Sequence, residues 1–205
     1  MHAILLDGGF VCRRMTAQHG GFPSAVEVLD YCSGISAHPV LRSSELLRTY
    51  FYDAPPAVGS IVRPVDGVEL DLSNSAVGKC SQALQWALAE APGVALRLGE
   101  LQKRGWKVGP RATRSLRRQN RYLNGPDFIP DLVQKGVDLR IGLDIARLAL
   151  RGLVREIVLV TGDSDFIPAM KFARREGVRV LLDTMGQPAR HELLEHSDHW
   201  FGCKA

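Results

Sequence analysis

The amino-acid sequence predicts an α/β fold, with a mostly parallel sheet covered by helices on both faces. Two observations carry this. Short aliphatic runs at residues 3–6 (AILL) and 156–161 (EIVLVT) give way to a carboxylate and glycine, as fully buried parallel strands do. Amphipathic helical stretches alternate with such runs along the chain. A third observation bounds the answer. With 205 residues, 45% apolar and 23% charged, the chain can bury one sizeable core. It reads as one domain over 1–205, with an irregular and basic insertion at about 58–128.

The elements follow in order. Residues 3–6 form the first strand, and Asp7-Gly8-Gly9 a carboxylate and a glycine turn. Pro23 opens a helix over 23–33, with Ala25, Val28, Leu29 and Cys32 at helical spacing and Gly34 past its end. Residues 46–52 (LLRTYFY) are the next strand, stopped by Pro55 and Pro56. From 58 to 74 no period is sustained, which predicts a loop region. Residues 81–90 predict a helix with Leu84, Trp86, Ala87 and Leu88 on its apolar face. A further helical segment over 95–103 leads to a short strand at 106–108. Ile141, Ile145 and Leu148 share one face of a helix that Gly152 ends, and the strand 156–161 follows. A helix at 166–176, a strand at 178–182 and a last helix at 188–196, with Leu193 and Leu194 inward, complete the chain.

Composition excludes several classes. The apolar start MHAILLDGG has no basic region before it and breaks at Asp7, so it reads as a strand rather than a leader, and no apolar run approaches the roughly 18 residues a spanning helix needs. Cys12, Cys32, Cys80 and Cys203 are scattered, as reduced thiols of a cytoplasmic protein are. The formal charge of +4 is modest, but residues 101–126 hold Lys103, Arg104, Lys107, Arg111, Arg114, Arg117, Arg118 and Arg121 with no Asp or Glu. Such a run is either a solvated face or a phosphate-binding surface. Trp106 and Tyr122 within it suit stacking on unpaired bases.

The residues that carry chemistry are acids. Asp7, Asp163 and Asp165 fall at carboxyl ends of strands, where ligands bind in open α/β sheets, and Asp138 stands at the N-cap of the helix leading into the strand 156–161. If the first strand is central and lies beside 156–161, these acids converge. Like charges so close stay ionised only beside a cation, and all-oxygen ligation suits Mg2+ or Mn2+, which can activate water for attack on a phosphodiester. Each acid also has a plainer role: Asp138 as a helix cap, Asp7 as a turn residue, and Asp163 and Asp165 as turn residues or a cap of the following helix, Asp165 being the better cap. Asp144, about 240 degrees round the helix from Asp138, reads as a surface acid near Arg140, Arg147 or Arg151. His191, His196 and His199 lack metal-ligand company, no dinucleotide or Walker A loop is present, and Gly9 stands where a haloacid-dehalogenase nucleophile motif needs its second Asp.

The combination of LLDGGF near the start, KGVD before an LRIGLDIARLAL helix, and VLVTGDSDF before IPAMKFARREGVRVLL resembles the NYN-domain family of PIN-like ribonucleases. The resemblance covers roughly residues 3–54 and 130–201. It implies a PIN-like three-layer α/β/α sandwich and Mg2+- or Mn2+-dependent cleavage of RNA, single-stranded by expectation, by a cluster of Asp7, Asp138, Asp163 and Asp165. Thr161 and Ser164 would orient carboxylates or bind phosphate, and Lys135 with Arg111, Arg114, Arg117 and Arg118 would hold the RNA backbone. Many relatives carry Asn three residues after the first Asp, where this chain has Phe10. That departure keeps open a non-catalytic RNA-binding or protein-interaction module on the same fold. A homo-oligomer or a protein partner is also open, and a membrane is not expected.

Overall fold

The computed structural model describes residues 1–119 and 121–202, so Cys203 lies outside the described residues. In chain order the elements are β1 (His2–Asp7), α1 (Gly8–His19), α2 (Ala25–Ser36), β2 (Leu46–Asp53), β3 (Ser60–Val62), β4 (Glu69–Asp71), α3 (Ala76–Glu90), β5 (Val94–Leu98), β6 (Glu100–Val108) and α4 (Pro110–Gln119). They continue with β7 (Phe128–Lys135), α5 (Val137–Leu150), β8 (Glu156–Val160), α6 (Ile167–Arg175), β9 (Arg179–Asp183), α7 (His191–Glu195) and β10 (His199–Phe201). Six strands form one sheet in the order β10-β9-β8-β1-β2-β5, and every neighbouring pair is parallel. β1 is central, as the convergence of the acids requires. The chain runs outward from β1 to β2 and β5, then returns to β8 on the other side, so the strand order reverses between β1 and β8.

The alternation of β1 explains the three layers. Ala3 and Leu5 point to a core closed by Ile141, Ile145 and Leu148 of α5, Met170 of α6 and Leu193 of α7. Ile4 and Leu6 point the other way, to Val11 and Met15 of α1, Val28 and Cys32 of α2 and Leu84 and Leu88 of α3. Each such fully buried side chain contributes roughly 1.5–3 kcal/mol relative to exposure. The chain is therefore the α/β/α sandwich its sequence predicts, and no helix among the described residues is long and apolar enough to cross a membrane.

The departures have physical causes. Gly8 and Gly9 open a helix, α1, rather than a turn. A Cβ on Gly8 would lie 2.5 Å from the Tyr52 carbonyl oxygen and 2.7 Å from the Phe51 ring, so glycine is what lets α1 cross β2 closely, and burial of Val11, Cys12 and Met15 outweighs its poor helix propensity. Helix α2 runs through Gly34 to Ser36. Residues 95–103 are almost all strand, β5 and the start of β6, because pairing of β5 with β2 and of β6 with β7 overrides the helix preference of Leu and Ala. The chain changes direction at Gly99, where a Cβ would lie 2.5 Å from the Lys135 carbonyl oxygen. The loop region contains the β3–β4 hairpin, β10 adds an edge strand, and α3 buries Gln85 while leaving Trp86 65% exposed. The middle segment also raises an antiparallel ribbon, β6 with β7, that carries α4 at its far end.

Gly8→Ala is expected to cost about 2 kcal/mol or more, since backbone must move to admit the methyl. Gly34→Ala, inside a helix with nothing within 4 Å, is expected to gain about 0.5–1 kcal/mol. Urea unfolding midpoints of the two variants check the opposite signs.

Candidate metal centre at the carboxyl edge of the sheet

Register puts the first acid in place. Leu6 pairs with Val160, so Asp7 and Thr161 follow side by side at the same edge. Thr161 is fully buried; its hydroxyl donates to Asp7 Oδ2 at 3.1 Å and accepts the Asp163 amide at 3.2 Å. The other oxygen, Asp7 Oδ1, accepts the Phe10 amide at 3.1 Å and caps α1, so Asp7 is a helix cap rather than a turn residue. Asp163 caps the following 3-10 turn, its Oδ1 accepting the Asp165 amide at 3.0 Å. The capping role expected of Asp165 thus falls to Asp163. Helix α5 starts two residues earlier than its sequence suggests, at Val137 behind a left-handed Gly136 (φ 71°), so Asp138 lies in the first turn and is not the N-cap. Among the described residues the carboxylates of Asp138 and Asp165 accept no hydrogen bond.

Burial pushes the Asp7 carboxyl above the ordinary carboxylate range; the Phe10 amide, the Thr161 hydroxyl and Arg13 pull it back, and Asp163 adds to the rise. Asp138 is raised by partial burial first, then by Asp7, Asp163 and Asp165. Asp7, Asp163 and Asp165 therefore all lie within electrostatic reach of Asp138, and Asp163 within reach of Asp7. Among the described residues no three His, Cys, Asp or Glu side chains are gathered tightly enough to cage a metal ion. The residues nonetheless fit a hard divalent cation: every donor is oxygen, two carboxylates have no protein donor, and Mg2+ binds through one or two carboxylates while keeping several waters.

A cleft of about 260 Å³ opens over this edge, lined by Asp7, Phe10, Arg13, Gly162, Asp163, Ser164 and Arg190. Arg190 Nη1 donates to Ser164 Oγ at 3.2 Å. The sequence reading missed Arg13 and Arg190. Reading α1 as a helix is the signal that finds the first, since Arg13 stands one turn beyond Gly9 and lies against it. The Phe10 ring lies so close to Gly162 that a Cβ there would come within 2.9 Å of it. Asp144 is no surface acid beside Arg140, Arg147 or Arg151: its Oδ2 accepts the Tyr52 hydroxyl at 2.9 Å, and Arg97 Nε stands 3.3 Å away, out of hydrogen-bond geometry.

The basic run divides in the fold. Arg121 is held bidentately by Asp127 at 2.6 Å, and Lys107 by Asp131 at 2.6 Å, both acids coming from just before or within β7. Those cations hold the ribbon together. Arg111, Arg114, Arg117 and Arg118 are exposed along α4, Lys135 is exposed at the end of β7, and the Tyr122 ring is 95% exposed.

The family model of the NYN domain matches residues 111–200. This stretch is an NYN-domain match. It contains Asp138, Asp163 and Asp165 but stops short of Asp7, which β1 brings to them. The NYN domain belongs to the PIN-like superfamily. No curated protein sequence is significantly similar to the chain. The chain is similar in fold to a crystal structure of a protein of unknown function from Vibrio parahaemolyticus, with a TM-score of 0.52 and 16% identity, covering 97% of this chain and 90% of that one.

Because burial raises the folded pKa of Asp7, its contribution to stability is intact at low pH and is lost as pH rises through that pKa, leaving a cost at neutrality. In chelator at pH 7, Asp7→Asn is expected to raise Tm by about 2–4 °C, the shift 1 kcal/mol produces in a chain of this size. The gain should vanish near about pH 3, where the wild-type acid is also protonated. Calorimetry at the two pH values checks both.

Proposed function

We propose that the protein is a cytoplasmic ribonuclease that hydrolyses single-stranded RNA with Mg2+ or Mn2+ held by Asp7, Asp138, Asp163 and Asp165. One observation carries the reading: Asp7, a half-buried carboxylate that caps α1 at the strand-order reversal, lies with Asp163 and Asp165 close enough to Asp138 that all three raise it. A fold accepts that repulsion at a site where a cation offsets it.

When bound, the cation supplies Lewis-acid activation of water and neutralises charge on the phosphate. This chain's residues do the rest. Thr161 fixes the rotamer of Asp7 and ties it to the turn bearing Asp163. Arg13 and Arg190 stand at the rim of the cleft, where guanidinium groups bind phosphate oxygens and set the scissile group against the acids. Ser164 positions Arg190. Arg111, Arg114, Arg117, Arg118 and Lys135 hold the backbone further along the strand, and cleavage leaves a 5'-phosphate and a 3'-hydroxyl.

A second reading, a non-catalytic RNA-binding module, draws on Phe10. Its ring occupies the cleft where many relatives place Asn, and it adds no polar group to position water.

Purified protein is expected to cleave single-stranded RNA in Mn2+ or Mg2+ and not in excess chelator. Asp163→Asn should lower the rate by more than the roughly 10–100-fold that loss of an outer-shell partner costs. Cleavage that persists in the variant would sink the assignment, and binding without cleavage would favour the second reading. Charge reversal at Arg114, Arg117 and Arg118 together should reduce the slope of log affinity against log salt by about 2, three phosphate contacts at roughly 0.7 each. An unchanged slope would return α4 to a solvated surface.

A further inference from the structure

Beside the acid cleft lies a second cavity of about 490 Å³, within the size range of small-molecule sites. The middle segment, residues 58–128, builds much of its wall: Leu70 on β4, Leu72 just after it, Val77 on α3 and Leu101 on β6 face Leu132 on β7 and the first turns of α1. Its walls are largely apolar. Arg13 lines both this cavity and the acid cleft, so an occupant here is the immediate neighbour of a group bound there.

One carboxylate is set into these walls. Asp53, at the carboxyl end of β2, is only 6% exposed. Its Oδ1 accepts the Ala54 amide and Gln134 Nε2, both at 2.8 Å, whereas Oδ2 accepts only Gln85 Nε2 at 2.8 Å, leaving that oxygen a second acceptor position. Gln85 is itself pinned by the Ala54 carbonyl at 2.9 Å and Ser81 Oγ at 3.2 Å, so Asp53 is held rigidly. The bond from Gln134 Nε2 fixes the orientation of that amide, and its Oε1 accepts nothing among the described residues. Gly9 leaves room for it, since a Cβ there would lie 3.3 Å away.

We infer that this cavity is a nucleobase subsite that seats the base of a nucleotide whose phosphate lies at Arg13, and that it selects bases presenting N–H donors to Asp53 and Gln134. Apolar walls suit the faces of a flat heteroaromatic ring, and an acceptor-only edge suits an amino or imino N–H. A buried carboxylate is a poor companion for an alkyl chain. Guanine, with N1–H beside its amino group, is the best match. Uracil is the poorest, because its single N3–H is flanked by two carbonyls that would face acceptors. The location next to a scissile phosphate rests on the ribonuclease reading; base binding itself does not.

The test is equilibrium binding of GMP, AMP, CMP and UMP to the full chain by calorimetry, with inorganic phosphate as control. GMP is expected to bind at least tenfold more tightly than UMP and than phosphate. Leu70→Glu with Val77→Glu, at rim positions 41% and 67% exposed, should weaken GMP at least tenfold with an unchanged melting profile; Val77→Glu alone is the milder version. Asp53→Asn should bring the GMP-to-UMP ratio towards one. Equal binding of all four nucleotides and phosphate, or GMP binding untouched by the rim variants, would overturn the inference. Selective base binding by a protein that cleaves no RNA would uphold the subsite and refute the nuclease reading. Cleavage without selective base binding would do the reverse.

Discussion

The hydroxyl of Thr161 is the contact on which the candidate centre depends. It donates to Asp7 at the end of β1 and accepts the amide of Asp163 beyond β8, so one buried oxygen joins two strand ends. The contact exists because β1 and β8 pair in parallel register and stop together. It also needs a residue small enough for a fully buried position and able to donate and accept at once, and threonine meets both conditions. The capping of α1 by Asp7 and of the turn after β8 by Asp163 then fixes both carboxylates through backbone amides. Geometry at the site is inherited from the register of the sheet.

Other strand ends show what distinguishes Asp7. Asp53 at the end of β2 and Asp183 at the end of β9 are buried and, like Asp7, raised by desolvation, yet each is held by internal donors: Gln85, Gln134 and the Ala54 amide for Asp53, Tyr31 and the Met185 amide for Asp183. Asp7 instead lines an open cleft with Asp163, and its charge reaches Asp138. Its cost is offset by Arg13 and two hydrogen bonds, and the remainder is the part a cation would neutralise.

Much of this was legible in the sequence, and the rest was hidden for identifiable reasons. The strands of the sheet interior read cleanly because β-branched and leucine runs buried on both faces have few other uses. The amphipathic face of α5 was equally plain: Ile141, Ile145 and Leu148 are all buried. Helix α1 was hidden by Gly8 and Gly9, whose role is a close approach visible only in three dimensions. Strands β5 and β6 were hidden because short leucine-rich segments satisfy either period, and only pairing, with β2 for β5 and with β7 for β6, decides between them. The four acids were found by their positions at element ends, but their division of labour was not. That Asp163 and not Asp165 caps the turn rests on one side-chain bond to the Asp165 amide, which spacing does not reveal. The latches Arg121–Asp127 and Lys107–Asp131 were invisible in a run read as uniformly basic, because their acids lie downstream of it.

The most direct test of the centre is a Mn2+ binding isotherm, followed by electron paramagnetic resonance of the free ion, on the full chain and on Asp7→Asn and Asp163→Asn. Saturable binding that weakens at least tenfold in either variant, with the fold intact by circular dichroism, is the expected result. The same isotherm in all three proteins would mean that the acids at the ends of β1 and β8 do not hold the metal, and would contradict the account.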